Sequence, residues 1–104
     1  MYIAMNRFKI ALGKEDAFEQ VWAERDSHLK DVAGFKDFKL LRGPTGEEHT
    51  LFASHTIWDS FEAFVDWTKS EAFRAAHANA GENRDLYLGP PQFEGFSVVL
   101  DHSA

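Results

Sequence analysis

Two polar residues stand where the surrounding pattern calls for apolar ones, and each brings a chemistry. In the stretch YIAMNRFKI, counting by twos from Tyr2 puts Tyr2, Ala4, Asn6, Phe8, Ile10 and Leu12 on one face of a strand, because side chains alternate sides along extended backbone. A buried amide without partners costs about 1–3 kcal/mol. Either a neighbouring backbone satisfies Asn6, or its amide faces a cavity and serves something held there. In SEAFRAAHANA, residues 70–80, steps of three and four put Phe73, Ala76, His77 and Ala80 on one helical face. His77 then has two readings. It is a core histidine bonded to a carbonyl, or a neutral imidazole that ligates iron while an acceptor holds its second nitrogen. The alanines beside it leave room for a flat macrocycle to approach the helix. Phe61, Phe64 and Trp67 step by three along the preceding turns, either as core packing or as the wall of the same cavity pressing on a planar ligand. Asn6 and His77 together say more than either does alone, since both can line one cavity with Trp67 on its wall.

Other chemistries lack their residues. His28, His49, His55 and His102 show no HxH, HExxH or two-His-one-carboxylate spacing, which argues against a chelated non-heme metal. There is no GxGxxG or GxxxxGK loop, hence no flavin or nucleotide site, and no GxSxG elbow for a serine nucleophile. Cysteine is absent, which removes disulfides, thiolate metal sites and cysteine nucleophiles. Arg25 interrupts the apolar stripe of the first helix, as a snorkelling side chain or as a partner for a ligand carboxylate. The formal charge of −6, with eleven scattered Lys and Arg, offers no basic patch for nucleic acid. No secretory leader pattern and no run of eighteen apolar residues is present, which predicts a cytoplasmic protein with no membrane partner.

The elements that must position these residues follow from periodicity. A first strand ends near Leu12, and Gly13 turns the chain into KEDAFEQVWAERDSHLKDV. Phe18, Val21, Trp22, Arg25 and Leu29 there recur at helical spacing, up to a stop at Gly34. FKDFKLLR, the turn GPTGEE and HTLFASHTIW predict a hairpin. Asp59 and Ser60 open a second helix, with Asp59 and Glu62 as a capping box. That helix runs to about Asn79, with a break near Thr68–Ser70 and a second cap-like Thr68-x-x-Glu71. Residues 80–92 read as a loop, and FEGFSVVLD as the last strand. All 104 residues form one domain in the order β-α-β-β-α-β, an α+β ferredoxin-like sandwich with two helices on one sheet face. In the hairpin, Leu51, Ala53 and Ile57 fall on one side and Phe52 and Trp58 on the other. Both faces are apolar, and the aromatic share of 14%, ten residues of it Phe, exceeds what so short a chain needs for one core. Packing sheet against sheet in a homodimer covers the second face.

Asn6-Arg7-Phe8 in the first strand, and Trp58-Asp59-Ser60, Phe64, Trp67, Ser70, Phe73 and Ala76-His77 in the second helical region, resemble the signature of the IsdG-type heme-degrading monooxygenases. These belong to the antibiotic biosynthesis monooxygenase (ABM) superfamily of dimeric α/β barrels, and the likeness spans nearly the whole chain. The resemblance implies that heme is both substrate and oxygen-activating cofactor, opened with O2 and an external electron donor so that iron is released. It implies His77 as proximal iron ligand, Asn6 as hydrogen-bond donor on the distal side, and Trp67 as the group pressing the macrocycle out of plane, with Phe73 beside them against the heme. Three rivals stand next to this reading. One is a cofactor-independent ABM monooxygenase of a quinol or aromatic polyketide, which needs no iron ligand. The others are a non-catalytic heme-binding dimer and a small stress-response dimer with no ligand.

Overall fold

The computed structural model describes residues 1–24, 29–71, 73 and 84–102. Its strands are β1 (Tyr2–Ala11), β2 (Phe35–Thr45), β3 (His49–Trp58) and β4 (Gln92–Ser97), and its helices are α1 (Glu15–Glu24) and α2 (Phe61–Thr68). The strands form one antiparallel sheet in the order β2-β3-β1-β4. Both helices pack on the same face, giving the expected ferredoxin-like α+β layering.

Alternation along β1 matches the sequence pattern. Tyr2, Ala4, Phe8 and Ile10 are buried toward the helices, while Arg7 and Lys9 are exposed on the other face. Two apolar clusters form on the helix side. Phe8, Ile10, Phe18 and Phe52 pack under α1, with Leu86 closing the cluster. Tyr2, Ala4, Leu29 and Trp58 pack with Ala63, Phe64 and Trp67 of α2.

Several boundaries differ from the periodicity, each for a local reason. Among the described residues of the helix expected over 14–32, Glu15–Glu24 are α-helical and Leu29–Asp31 form a 3-10 turn that buries Leu29. Ser60, and not Asp59, caps α2. Its backbone is extended and its hydroxyl accepts from the Ala63 amide at 3.1 Å, whereas Asp59 is drawn 3.0 Å from Lys36 Nζ. The expected break after α2 is present, although Thr68 is not the second cap. Thr68 Oγ1 donates back to the Val65 carbonyl at 2.6 Å, and Ser70 Oγ accepts from the Phe73 amide at 3.1 Å. Such hydroxyls compete with the helical ladder. β2 continues past Arg42 to Thr45 across a register shift that absorbs Gly43 and Pro44. As an edge strand, it tolerates a proline. The region read as a loop contributes to the core: Leu86 is buried, Tyr87 bridges to Ile10, and the Leu88 amide donates to the Lys9 carbonyl at 2.9 Å. β4 stops at Ser97, short of Asp101, because β1 begins at Tyr2 and offers no further strand to pair with. After one more bond, Val98 N–H to Met1 O at 3.0 Å, Val99 and Leu100 are exposed.

A chain of three side chains ties the start of α1 to the hairpin. Thr50, fully buried, donates to Glu15 Oε2 at 2.8 Å and lies 3.0 Å from the Thr45 hydroxyl. Hydrogen bonds from its own backbone amide and then from Thr50 hold the Glu15 carboxyl below its ordinary pKa. A carboxylate depressed in the folded state contributes stability that is present above its unfolded pKa and is lost as pH falls through the folded one. Glu15→Gln should therefore weaken the protein at neutral pH and flatten the acid limb of its stability profile. Thr50→Val should raise the Glu15 pKa toward its ordinary value. Denaturant midpoints from pH 7 down through the carboxylate range, compared with wild type, check both.

Candidate functional site

The register of the sheet shows what lies between the two clusters. Directly paired residues share a face, so rows can be traced across the strands on the helix side. Phe93, Asn6, Ser54 and Leu40 form one such row, and Gly95, Ala4, Thr56 and Phe38 form the next. On one side the sheet carries Tyr2, Trp58 and Phe35, and on the other Phe8, Phe52 and Arg42. The middle of the face is thus a floor of small and polar side chains: Ala4, Asn6, Ser54, Thr56 and Gly95. Asn6 and Ser54 belong to neither apolar cluster.

Aromatic walls flank the floor. On the α2 side, Trp67 lies against Trp58 with ring centroids 5.3 Å apart, and Phe64 is 6.3 Å from Trp67. Phe64 also stacks on Phe93 at 5.6 Å and 10°, which carries the wall to the β4 edge next to Asn6. Phe73 meets Trp67 edge-on at 4.8 Å. On the α1 side, Trp22 is 5.9 Å from Phe8 and stacks on Phe38 at 5.5 Å and 17°. An apolar cleft of about 590 Å³ opens there, lined by Trp22, Phe38, Leu40 and Phe52, with Arg42 and Glu19 joined by a 2.9 Å ion pair at its rim. These rings flank the strip of the sheet on which an amide, Asn6, and a hydroxyl, Ser54, stand side by side.

Of the residues singled out by sequence, the structure brings Asn6, Trp67 and Phe73 to the helix side of the sheet. Asn6 is half-buried there, and its amide makes no hydrogen bond among the described residues. His77 lies outside the described residues, as do Arg25 and His28. His55 faces the other side of the sheet, paired with Met5 and Lys39, and its buried Nδ1 has no partner among the described residues. Among the described residues no group of three or more His, Cys, Asp or Glu is arranged to hold a metal, and no helix is long and apolar enough to cross a membrane. Sequence reasoning missed Ser54, Gly95 and Phe93. Ser54 was legible in principle, since it shares the alternating phase of Phe52 and Trp58. Gly95 and Phe93 needed the β1–β4 register.

A four-stranded antiparallel sheet with two helices on one face, and aromatic rings from both helices over that face, defines an α+β ferredoxin-like sandwich. The chain belongs to the antibiotic biosynthesis monooxygenase family, whose model it matches over residues 1–79. A mycobilin-producing heme oxygenase from Mycobacterium tuberculosis is 34% identical over 99 residues, covering 95% of this chain and 90% of that protein. A heme-degrading monooxygenase from Bacillus thuringiensis is 30% identical over 92 residues, covering 85% and 81%. Among solved structures, the heme-degrader MhuD from Mycobacterium tuberculosis, with two hemes bound in its active site, aligns with a TM-score of 0.75. It is 29% identical, and the alignment covers 99% of this chain and 100% of that one.

Gly95 makes room for the Tyr2 ring, which lies directly over it. A Cβ there would fall 1.8 Å from Tyr2 Oη and 2.7 Å from its Cζ. The Tyr2 ring is rigid and held by Phe61 at 5.1 Å and Phe64 at 5.5 Å. It cannot yield without disturbing the α2 wall. Gly95→Ala should therefore destabilise the protein by about 1–3 kcal/mol, the usual cost of overpacking. Gly95→Ala combined with Tyr2→Phe, which removes the nearer clash, should recover part of that loss. Chemical denaturation of the single and double variants checks both.

Proposed function

We propose that this protein is a heme-degrading monooxygenase in which heme is both substrate and cofactor. The observation that carries the reading is the helix-side face of the sheet: aromatic rings on both sides of small and polar side chains, with the Asn6 amide among them and bonded to no other described residue. A half-buried amide that bonds no other described residue, on an otherwise apolar strand face, is free to serve a ligand. The family and its heme-degrading relatives support the same substrate. Bound heme would supply the iron that activates O2 and the ring that is opened.

The chain's own residues divide the work. His77, which sequence spacing sets in phase with Phe73, would hold the iron through a neutral imidazole. Asn6, held by hydrogen-bonded strands on both sides, would offer its amide as a hydrogen-bond donor to a small ligand of the bound heme. Trp67, braced behind by Trp58 and at its edge by Phe73, is a stiff wall able to press a planar ring out of plane. The aromatic walls would keep water from the reacting edge. An external electron donor and a cytoplasmic setting complete the reading.

The other sheet face supports a homodimer. Ile3, Met5, Leu51, Ala53 and Ile57 lie on it away from both helices, with Leu41 and Phe96 more exposed beside them. A second copy packed there would cover this face together with the exposed Val99 and Leu100. Sedimentation at micromolar concentration should give a dimer, and Ile57→Asp should shift it to monomer. A monomeric wild type sinks the dimer.

Adding hemin to the purified protein should produce a Soret band shifted from that of free hemin, and the band should bleach under ascorbate and air. His77→Ala should lose tight binding and turnover while the fold persists. Asn6→Ala should bind hemin nearly as well but degrade it roughly 10²–10³ times more slowly, the usual loss for one preorganised donor. A wild type that leaves the hemin spectrum unaltered rules out the heme reading, and an unaltered His77→Ala spectrum moves the iron ligand elsewhere.

A further inference from the structure

Ser54 is the second polar residue on the floor, and neither core cluster explains it. It is 5% exposed, sits directly across from Asn6 on the neighbouring strand, and points to the same face. Its hydroxyl makes no hydrogen bond among the described residues, in contrast to the fully buried Thr50, which is held by Glu15 and Thr45. A serine satisfied within the fold would look like Thr50. Although the residue is buried, its hydroxyl is not one of the sealed, unpartnered polar atoms of the described residues, so it stays accessible to a small ligand on the face it shares with Phe52 and Thr56. Cβ atoms of directly opposed residues lie about 4.5–5.5 Å apart, so a small ligand over the floor is within reach of the amide and the hydroxyl together.

We propose that the Ser54 hydroxyl is a second hydrogen-bonding group of the distal floor, acting beside the Asn6 amide on a small polar ligand such as water or dioxygen. This rests on the heme reading above. The pairing gives the two groups different reach: Asn6 extends from β1, and the shorter Ser54 lies deeper, on β3 between Asn6 and Leu40. One donor fixes a point, whereas two fix a direction across the face of a bound ring. The orientation of the small ligand then depends on the angle between β1 and β3, which sheet hydrogen bonding makes rigid. The residue therefore belongs to the determinants of where the ring is attacked and not to its binding.

The test uses Ser54→Ala, which deletes the hydroxyl, and Ser54→Thr, which keeps it. Each is compared with wild type as apoprotein and as the hemin complex. If the hydroxyl serves a ligand, Ser54→Ala melts no lower than wild type without hemin and binds hemin equally well. Its ferric complex should then bind azide about three- to tenfold more weakly, the worth of one hydrogen bond. The C–O stretch of its ferrous carbon monoxide complex should also shift, and the ratio of ring-opened products should change. Ser54→Thr should restore the azide affinity and the C–O frequency. An Ala variant with unchanged azide affinity and C–O stretch overturns the role of Ser54 while leaving heme degradation standing, as does one whose only change is a lower melting temperature. A wild type that does not bind hemin overturns both readings together.

Discussion

Antiparallel pairing of β1 with β3 on one side and β4 on the other sets where every side chain of the site can be. The pleat repeats every two residues, so a slip of one position would turn Asn6 to the opposite face and bring Met5 or Arg7 among the aromatic rings. That slip is prevented by apolar burial, since Tyr2, Ala4, Phe8 and Ile10 would leave the core with it. The residues that stabilise the strand and the residue proposed to work on the ligand are thus locked to one another by the same alternation. With both neighbours bonded, β1 has little freedom to let Asn6 drift.

Placing polar groups in the middle of the sheet divides the core in two. Each half is closed by its own helix: α1 brings Phe18 and Trp22 down on Phe8 and Phe52, and α2 brings Phe64 and Trp67 down on Tyr2 and Trp58. A protein built only for stability would fill the gap with leucine and valine. Here the separation is maintained by bulky rings that reach far from their backbones, so the walls stand while the floor stays low. The excess of aromatic residues noticed in the composition has this purpose in addition to the second sheet face.

The fold was largely legible from periodicity. β3 matches its expected bounds, and β1 and the hairpin partner differ only at their ends. What failed were features decided by side-chain competition at ends: which of Asp59 and Ser60 caps α2, and whether Thr68 or Ser70 caps the turn after it. The first depends on Lys36 drawing the Asp59 carboxylate away and the second on Thr68 bonding back to the Val65 carbonyl, which no local pattern encodes. The segment before β4 is the loop that its lack of period predicts, but that pattern does not reveal that Leu86 and Tyr87 fold back on Ile10. Within the site, Asn6 stood out because it broke an apolar alternation. Ser54 did not, because a serine in a strand containing Thr50 and Thr56 looks unremarkable until pairing sets it against Asn6.

The strand order also decides how well the floor can hold a geometry. In β2-β3-β1-β4 the two central strands are β3 and β1, and these carry Ser54 and Asn6. Groups on central strands are fixed by hydrogen bonds to both sides, whereas the same residues on β2 or β4 would share the freedom of an edge. The edge strands supply what tolerates more movement: Leu40 at one end of the row and Phe93 at the other, side chains that need only be apolar and present. Orientation of a small ligand demands tight positioning and enclosure of a flat ring demands much less. The sheet assigns each task to the strands suited to it, and both follow from the register that the alternating apolar residues of β1 and β3 enforce.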